Sequence, residues 1–380
     1  MNPIFREITK PTLVVDEEKA KANIRWMVEK AKLNRVHLRP HFKTHQSAKV
    51  GKWFKEEGIS SITVSSVSMA EYFSQNGWQD ILIAFPLNVR EIEKVEELAQ
   101  KTNLGVLIDS AESLECLINA ISTPIDIWIK IDTGLQRAGI APDEYEVVAS
   151  LIQKINSTKH LTCKGLLTHA GHTYFANCPE EVVEIYQASV QKMVDLRKAL
   201  ERKGIQQISL SVGDTPGCTL SPTLGEIDEI RPGNFVFFDA EQWRLGVCSF
   251  EKIAAVVACP VVSFNKKRSE IVIYGGAVHL SKEFITEEDT RVFGYVALPE
   301  KNGWGKPLPN SYVSVLTQEH GVCRLDQDAL SGIRIGDLLF VIPVHVCLTV
   351  HTLRYYLTLS GVRIETLQIY DANRLLSALG

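Results

Sequence analysis

The stretch that decides the fold is Leu161-Thr-Cys-Lys-Gly-Leu-Leu-Thr168, together with the later run Ile208-Ser-Leu-Ser-Val-Gly213. Both runs are short, apolar and closed by Thr or Gly, which is typical of buried strands. The segment between them carries apolar residues at helical spacing, namely Val182, Val183, Ile185, Val190, Met193 and Leu196. Parallel strands need such a crossover, so the segment predicts a strand–helix–strand unit with parallel strands.

The same alternation extends back to the start of the chain. Six further β-type runs are Thr12–Val15, Val36–Phe42, Ser61–Ser65, Ile81–Phe85, Gly105–Ile108 and Asp126–Ile131. Eight strands with intervening helices predict a closed TIM-type (β/α)8 barrel. An open doubly wound sheet is the competing fold. The first strand is not followed by the G-x-G-x-x-G motif of dinucleotide-binding sheets, which favours the barrel.

The alternation of predicted strands and helices ends after about Asp239. β-type runs are separated there by Gly, Pro, Asn and Asp, with no long helix between them, and they are Ile253–Val262, Glu270–Ala277, Tyr312–Leu316, Asp337–Val341, Val344–Val350 and Arg354–Leu359. This pattern predicts an all-β domain. The expected architecture is therefore α/β, with a barrel over residues 11–240 and a mainly β domain over residues 241–380. Residues 1–10 are candidates to join the β domain.

Composition excludes several classes of protein. Of the 380 residues, 45% are hydrophobic and 23% are charged, and the net charge is −4. This mix excludes a disordered chain, and the absence of a basic excess argues against a nucleic-acid or membrane-surface partner. No apolar run is long enough to span a membrane, and no signal peptide opens the chain. Eight cysteines without C-x-x-C pairs predict reduced thiols in a cytoplasmic protein.

Lys43 is the sharpest catalytic candidate. It follows Pro40-His-Phe42 at the end of the second predicted strand, and catalytic groups of a barrel gather at the carboxyl ends of its strands. A lysine in such a cup is expected to be partly desolvated. Desolvation lowers a lysine pKa and favours the amine that can form a Schiff base. The alternative is a surface lysine that starts the next helix.

A second candidate site follows the sixth predicted strand. Lys130 and Asp132 lie two residues apart and would share one strand face. Gly134 permits a tight turn, after which Arg137 can return over the cup as a donor to an oxyanion. The alternative is a buried Lys–Asp pair beside a solvated arginine.

The seventh predicted strand runs into a loop that carries His169, His172 and Tyr174. A lone histidine near a strand end is usually structural. Two histidines and a tyrosine in one loop at the carboxyl end of a barrel strand are a candidate binding or catalytic set, because the loops at that end form the active-site cup.

The eighth predicted strand ends in Gly213-Asp214-Thr215, and Gly233-Asn234 follows further along. Backbone N–H groups in glycine turns, helped by a threonine hydroxyl, can cradle a phosphate, and the last two loops of the barrel are its usual phosphate site. A phosphate cradle together with a lysine at a strand end suggests a phosphorylated carbonyl cofactor, for which pyridoxal 5'-phosphate (PLP) is the natural candidate.

The β domain contains a candidate metal site. His345 and Cys347 lie two residues apart in Val341–Thr349, so on a strand they would project from one face. Imidazole and thiolate suit Zn²⁺, and two protein ligands leave room for water or substrate. The alternative is a polar histidine beside a buried cysteine. His320 lies on another predicted strand of this domain and is a candidate for a further polar group.

Taken together, these motifs resemble the D-serine dehydratase and D-threonine aldolase group of fold-type III PLP enzymes, relatives of alanine racemase. The resemblance covers nearly the whole chain. Its motifs are Pro40-His-Phe-Lys-Thr-His45, Lys130-Ile-Asp-Thr-Gly134 with Arg137, Ser211-Val-Gly-Asp-Thr-Pro216, Arg231-Pro-Gly-Asn234, Glu319-His-Gly321 and Pro343-Val-His-Val-Cys347.

The resemblance implies a set of roles. Lys43 would carry PLP as a Schiff base, and Arg137 would approach the phenolic oxygen of the ring. His345 and Cys347 would hold a divalent metal next to the substrate, with Zn²⁺ expected and Mn²⁺ or another cation as alternatives. The phosphate would be held by Gly213, Asp214, Thr215, Gly233 and Asn234, and the remaining cofactor contacts would be His169, Tyr174 and Arg231.

The leading functional hypothesis is dehydration of a small β-hydroxy D-amino acid, D-serine first, to pyruvate and ammonia. Freed Lys43 would take the Cα proton, and the metal would help the hydroxyl to leave. The first alternative is a D-threonine aldolase that uses a base such as His320. A racemase and a non-catalytic PLP-binding protein are the others. By analogy with the fold type, we expect a homodimer.

Overall fold

The computed structural model describes residues 2–367. Those residues form the helices α1 (Glu17–Leu33), α2 (Ala48–Glu56), α3 (Val67–Gln75), α4 (Ile92–Ala99), α5 (Ala111–Ala120), α6 (Tyr145–Ser157), α7 (Pro179–Arg202), α8 (Thr215–Leu220), α9 (Ala240–Arg244), α10 (Ala277–Leu280), α11 (Gln327–Ser331) and α12 (Val346–Leu353). The strands are β1 (Thr12–Val15), β2 (His37–Leu38), β3 (Ser61–Val64), β4 (Asp80–Pro86), β5 (Asn103–Ile108), β6 (Ile125–Lys130), β7 (Leu161–Thr168), β8 (Ser209–Val212), β9 (Glu229–Ile230), β10 (Ala255–Asn265), β11 (Glu270–Tyr274), β12 (Ile285–Glu287), β13 (Thr290–Val292), β14 (Gly294–Glu300), β15 (Gly303–Leu316), β16 (His320–Arg324), β17 (Leu338–Pro343), β18 (Tyr355–Thr358) and β19 (Arg363–Glu365).

The described chain divides into two compact units. The first, called the barrel unit below, consists of residues 24–43 and 51–235. The second, called the β unit, consists of the described parts of residues 1–23, 44–50 and 236–380. Each unit is therefore built from more than one segment of the chain.

The barrel unit is a single sheet of eight parallel strands. Its strand order is β2-β9-β8-β7-β6-β5-β4-β3, and the two outer strands approach each other through a parallel bridge between His41 and Thr63. The predicted α/β fold class, a TIM-type barrel followed by a mainly β domain, is confirmed. The carboxyl ends of all eight strands lie at one end of the barrel because the strands are parallel.

One predicted barrel strand is wrong. Thr12–Val15 belongs to the β unit, where it pairs antiparallel with β10 and parallel with β18. The eighth barrel strand is instead β9, which pairs with β2 and β8. The four buried residues of Thr12–Val15 fit either sheet, and the two residues of β9 are too few to produce a recognisable pattern. Lys43 consequently follows the first barrel strand, not the second.

The predicted strand Val36–Phe42 is regular only at His37–Leu38. Pro40 lacks the N–H that a central strand needs, but the N–H groups of His41 and Phe42 still donate to the carbonyls of Pro232 and Thr63. The segment thus remains part of the barrel wall up to Lys43.

Packing fixes this segment from the outside. The Phe42 ring packs edge-on against Phe73 and Trp78, with centroid distances of 4.9 and 5.0 Å, and is tilted against Phe54 at 5.0 Å. The absence of a side chain at Gly51 allows the Trp78 ring to pack closely there, because a Cβ on Gly51 would lie only 3.2 Å from Trp78. A buried aromatic cluster of this kind holds the backbone immediately before Lys43 in one position.

The β unit contains a nine-stranded sheet of order β11-β16-β15-β14-β17-β10-β1-β18-β19, in which β11 also pairs with β10. Five of the six predicted strands correspond to β10, β11, β15, β17 and β18. The sixth, Val344–Val350, is wrong, because residues 346–353 form α12. Asp239 accepts a hydrogen bond from the Val346 N–H at 3.0 Å, and this cap with the packing of Val346 and Val350 overrides their β propensity.

Within residues 2–367, no helix combines the length and apolar character required to cross a bilayer. The longest helix, Pro179–Arg202, is amphipathic and carries charged residues along its exposed side. All eight cysteines are unpaired thiols in the structure.

Candidate active site

Lys43 lies at the carboxyl end of the barrel strands, two residues beyond the bridge of His41 to Thr63. Its side chain is exposed, so the expected desolvation is absent from the structure, because the residue stands at the open end of the barrel. The pKa of His169 is lowered well below its usual value, mainly by burial and next by the positive charge of Lys43. The amine of Lys43 therefore lies within electrostatic reach of the loop that follows β7.

The two glycine turns predicted to cradle a phosphate are brought together. A Cβ on Gly213 would lie 3.0 Å from Nη1 of Arg231, which shows how closely the turns approach. The Gly233 and Asn234 N–H groups donate to Oγ1 of Thr215 at 3.2 and 3.0 Å. The two turns thus meet at the Thr215 hydroxyl, which accepts both N–H groups and keeps its own proton for a further acceptor at the end of β8.

Asp214 locks the first of these turns in place. Its Oδ1 caps the short helix α8 by accepting the Gly217 N–H, and it also accepts the Thr173 hydroxyl at 3.0 Å. Oδ2 is buried and accepts no hydrogen bond from the described residues. Burial raises the pKa of Asp214 to about 7, so the carboxyl group can be neutral near the proposed phosphate.

Lys130 and Arg137 lie on either side of a tight turn. Asp132 Oδ1 accepts the N–H groups of Gly134 and Gln136 at 2.9 and 3.1 Å, and this turn leaves Arg137 exposed. Lys130 is buried, and burial followed by the charges of Arg231 and Arg137 lowers its pKa to about 7. This end of the barrel is therefore unfavourable for further cations and favourable for an anion.

The loop after β7 places its two histidines differently. Nδ1 of His169 donates to the carbonyl of Gly213, which joins this loop to the glycine turn. Nε2 of His172 lies 3.5 Å from the Ser189 hydroxyl, while its Nδ1 is buried without a partner among the described residues. Tyr174 is half-buried in the 3-10 turn that follows. Of the residues predicted in this loop, His169 is directed to the glycine turn at Gly213, whereas His172 lies beside Ser189.

In the β unit, His345 and Cys347 come together, but not as two residues on one strand face. His345 is the N-cap of α12, and Cys347 lies in the first turn of that helix. The Cys347 thiol donates to the hydroxyl of Thr44 at 3.2 Å, and Thr44 follows Lys43 directly in the sequence. His345 and Cys347 are therefore close because both belong to the start of a helix, and not because they share one face of a strand.

Acidic residues that the sequence analysis did not single out surround His345. Nδ1 of His345 lies 3.0 Å from Oε2 of Glu283 and 3.7 Å from Oε2 of Glu241. Burial would lower the His345 pKa, but Cys347, Glu283 and Asp239 raise it well above its usual value. Burial, with Asp239, raises the pKa of Glu241 to about 8. The run Asp239-Ala-Glu241, directly after the barrel, was the available sequence signal.

His320 is not brought to this pair. It begins β16, where it pairs with Tyr274, and its side chain is exposed. Within residues 2–367 no hydrogen bond or ion pair links its side chain to His345 or Cys347. The structure therefore gives His320 no support as a catalytic base.

Both expected groups fit the residues present. The barrel end offers the Thr215 hydroxyl and several cations to a phosphorylated ring. His345 and Cys347 offer the nitrogen and sulfur donors that zinc prefers. No cluster of three or more His, Cys, Asp or Glu suited to a metal occurs in the described part of the chain, so a cation would take only two donors from this set.

Comparison with known families identifies the chain. Residues 15–241 match the family described as alanine racemase, N-terminal domain, and residues 254–359 match a serine dehydratase domain. The first match covers more than half of the chain, and the protein belongs to the alanine racemase N-terminal domain family.

Characterised relatives extend over both regions. The chain is 29% identical to D-threo-3-hydroxyaspartate dehydratase of Delftia sp. (strain HT23), over 92% of this chain and 93% of the relative. It is 27% identical to D-serine dehydratase of Dictyostelium discoideum, over 92% of each chain. It is 24% identical to D-threonine aldolase of Arthrobacter sp, over 91% of this chain and 87% of the relative.

Solved structures agree with these relatives. D-threo-3-hydroxyaspartate dehydratase from Delftia sp. HT23 superposes with a TM-score of 0.86 at 26% identity, covering 95% of this chain and 98% of that one. A cysteine-to-alanine mutant of D-threo-3-hydroxyaspartate dehydratase, described as in the metal-free form, gives a TM-score of 0.87 at 26% identity, with the same coverage. These relatives are dehydratases and aldolases, and the protein is a PLP-dependent lyase of this group. The predicted resemblance and the predicted enzyme class are confirmed.

Proposed function

We propose that the protein dehydrates a small β-hydroxy D-amino acid, with D-serine as the first candidate, to give pyruvate and ammonia. The observation that carries this choice is the pairing of imidazole and thiol at His345 and Cys347. A thiolate ligand selects zinc over harder cations, and a strong Lewis acid suits the departure of a hydroxyl group. The D-serine dehydratase relative supports the same choice.

Lys43 is the proposed covalent anchor of the cofactor. Its exposed side chain at the open end of the barrel is accessible to an aldehyde and then to a substrate amine. When bound, PLP supplies an electron sink that acidifies the Cα–H bond. Lys43 would hold the cofactor, and its Nζ would take the Cα proton of the substrate. A single lysine thus binds the cofactor and moves the proton.

The proposed phosphate site lies where the turns of Gly213, Thr215, Gly233 and Asn234 meet, with the Thr215 hydroxyl as its donor. The N–H groups of the last two already converge on the Thr215 hydroxyl. Asp214 holds the first turn in place through the cap of α8. Arg137, on the exposed turn after β6, is proposed to donate to the phenolic oxygen. His169 and Tyr174 are proposed as ring contacts, and His169 is linked to the cradle through the Gly213 carbonyl.

His345 and Cys347 are proposed to hold Zn²⁺ and to supply Lewis acidity to the substrate hydroxyl. The Glu283 carboxylate accepts the Nδ1 proton of His345, which leaves Nε2 available to a metal. A cysteine-to-alanine mutant of D-threo-3-hydroxyaspartate dehydratase, described as in the metal-free form, is consistent with a metal role for a cysteine in this group.

A second substrate is favoured by a separate observation. Four cationic side chains, Lys43, Lys130, Arg137 and Arg231, belong to the carboxyl end of the barrel, and three of them act electrostatically on His169. Such an excess suits a substrate with an extra carboxylate, and the first relative named above is a 3-hydroxyaspartate dehydratase. A retro-aldol cleavage of D-threonine is the alternative reaction, which the aldolase relative supports.

Product analysis tests the proposal. The PLP-loaded, zinc-loaded protein is incubated separately with D-serine, D-threo-3-hydroxyaspartate and D-threonine, and keto acid, ammonia, glycine and aldehyde are measured. We expect equal amounts of ammonia and pyruvate from D-serine. Glycine and acetaldehyde from D-threonine, without ammonia from D-serine, would establish the aldolase instead. Treatment with a chelator should abolish ammonia release, and added Zn²⁺ should restore it.

The assembly and compartment are also part of the proposal. A homodimer is expected from the fold type, and sedimentation equilibrium of the PLP-loaded protein measures it directly. Eight unpaired thiols support a reducing compartment, the cytoplasm.

A further inference from the structure

Arg231 is held by three hydrogen bonds that leave one of its nitrogens available. The residue is buried, with 4% of its surface exposed. Nε donates to the Ser211 hydroxyl at 2.7 Å, and Nη2 donates to the carbonyls of Thr168 and Ser211. Nη1 donates to no described residue and faces the Gly213 turn, where a Cβ would lie 3.0 Å away. The anchored guanidinium therefore presents one donor to the proposed cofactor cradle.

The hydrogen bonds continue away from the cradle. Ser211 has a single hydroxyl proton, and because its oxygen accepts from Arg231, that proton goes to Oε1 of Glu229 at 2.6 Å. Oε2 of Glu229 accepts Nε of Arg39 at 2.7 Å, and Nη1 of Arg39 donates to Asp80 at 2.5 Å. Charges alternate along this chain from Arg231 to Asp80.

The chain connects the two ends of the barrel. Arg39, Asp80 and Glu229 line a cavity of about 780 Å³ where the strands begin, whereas Arg231 lies one residue beyond the end of β9. Glu229 is 5% exposed, and a buried carboxylate is stable only when donors satisfy it. Both of its oxygens are satisfied, one from each side, so its position is fixed.

We propose that Glu229 is a positioning residue for the cofactor site, which acts through Ser211 to fix the orientation of Arg231 and of the Nη1 donor that faces the Gly213 turn. This inference rests on the proposed function, because it requires PLP in the barrel. The carboxylate also balances the buried guanidinium: burial lowers the pKa of Arg231 to about 10, and Glu229 opposes that effect.

A merely structural role for Glu229 makes different predictions. A buried ion pair with Arg39 alone would affect unfolding but not the electronic state of the cofactor. A positioning role requires that Glu229 and Ser211 act as one unit, so that removing either breaks the same chain. Double-mutant cycles detect such coupling as a failure of additivity.

The test compares Glu229→Gln, Ser211→Ala, the double variant and Glu226→Gln with the wild type. Glu226→Gln is the matched control, because it removes the same charge from an exposed position three residues away. The readouts are the PLP dissociation constant, the visible absorption band of the PLP-loaded protein and the pH dependence of that band. Thermal unfolding of each variant is recorded alongside.

We expect Glu229→Gln to weaken PLP binding roughly fivefold, as the loss of one charge-assisted contact would, and to shift the band or its pH dependence. The double variant should resemble the single variants, and Glu226→Gln should match the wild type. Additive effects, or a Glu229→Gln spectrum identical to that of Glu226→Gln, would overturn the inference. If Ser211→Ala does not fold, the isosteric Glu229→Gln decides alone.

The wild type separates this inference from the proposed function. A wild-type protein that binds PLP and can be trapped at Lys43 by borohydride supports the proposed function whatever Glu229→Gln does. A wild type that binds no PLP would overturn both.

Discussion

The Nδ1 atom of His345 lies 3.0 Å from Oε2 of Glu283. A carboxylate on one ring nitrogen fixes the tautomer and the orientation of the imidazole, so that the other nitrogen faces a metal. Glu283→Ala should therefore weaken Zn²⁺ binding roughly tenfold, measured by isothermal titration calorimetry. Glu300→Ala, an exposed carboxylate of the same unit, is the control. An unchanged affinity in Glu283→Ala would contradict the role of this contact.

Replacement of Lys43 tests the covalent anchor. Lys43→Ala should lose the visible absorption of bound PLP and at least about a thousandfold in turnover, because the group that moves the Cα proton is gone. Lys52→Ala removes another exposed lysine a short distance along the chain and should behave as the wild type. Retention of colour and borohydride trapping in Lys43→Ala would move the anchor to another lysine.

Gly213 tests the close approach of the two cradle turns. A methyl group there would meet Arg231 at 3.0–3.1 Å, and crowding of this kind in a packed site costs about 1–3 kcal/mol. Gly213→Ala should weaken PLP binding roughly tenfold and lower the unfolding temperature. In Gly332→Ala, the added methyl group meets only the Ala329 carbonyl at 4.0 Å, so that variant should change neither quantity. Equal PLP affinity in both variants would show that the approach is not needed.

Lys130 predicts a pH dependence of stability. Burial lowers its folded-state pKa to about 7 from the ordinary value of 10.5, so between these values the unfolded chain binds more protons than the folded one. The free energy of unfolding should therefore rise with pH across this window, and the gain should be lost as pH falls towards 7. Lys130→Met should lack this slope.

Urea unfolding of the PLP-loaded wild type and Lys130→Met at about pH 7 and about pH 9 measures the difference. We expect the wild type to gain on the order of 1–2 kcal/mol relative to the variant over that interval. Parallel curves for the two proteins would mean that Lys130 keeps an ordinary pKa in the folded state. His45→Gln, a change at another buried ionisable residue, should leave this alkaline slope intact, because the lowered pKa of His45, about 3, lies outside the window.

Sequence periodicity determined the architecture because it records which faces are buried. Alternating strand and helix patterns predicted the barrel, and closely spaced turns predicted the β unit. The same information could not assign Thr12–Val15, whose four buried residues fit either sheet. It also missed β9, because a strand of two residues is too short to show an alternation of buried and exposed side chains.

Local motifs likewise predicted roles for Lys43, the glycine turns and the His345–Cys347 pair, because turn-forming residues and chemically suitable donors can be recognised among neighbouring residues. What only the tertiary structure decided depends on groups far apart in the chain. Asp239 caps α12 and converts a β-type run into a helix, Glu283 meets His345, and Glu229 meets Ser211. Such contacts arise from packing, and no period or spacing in the sequence encodes them.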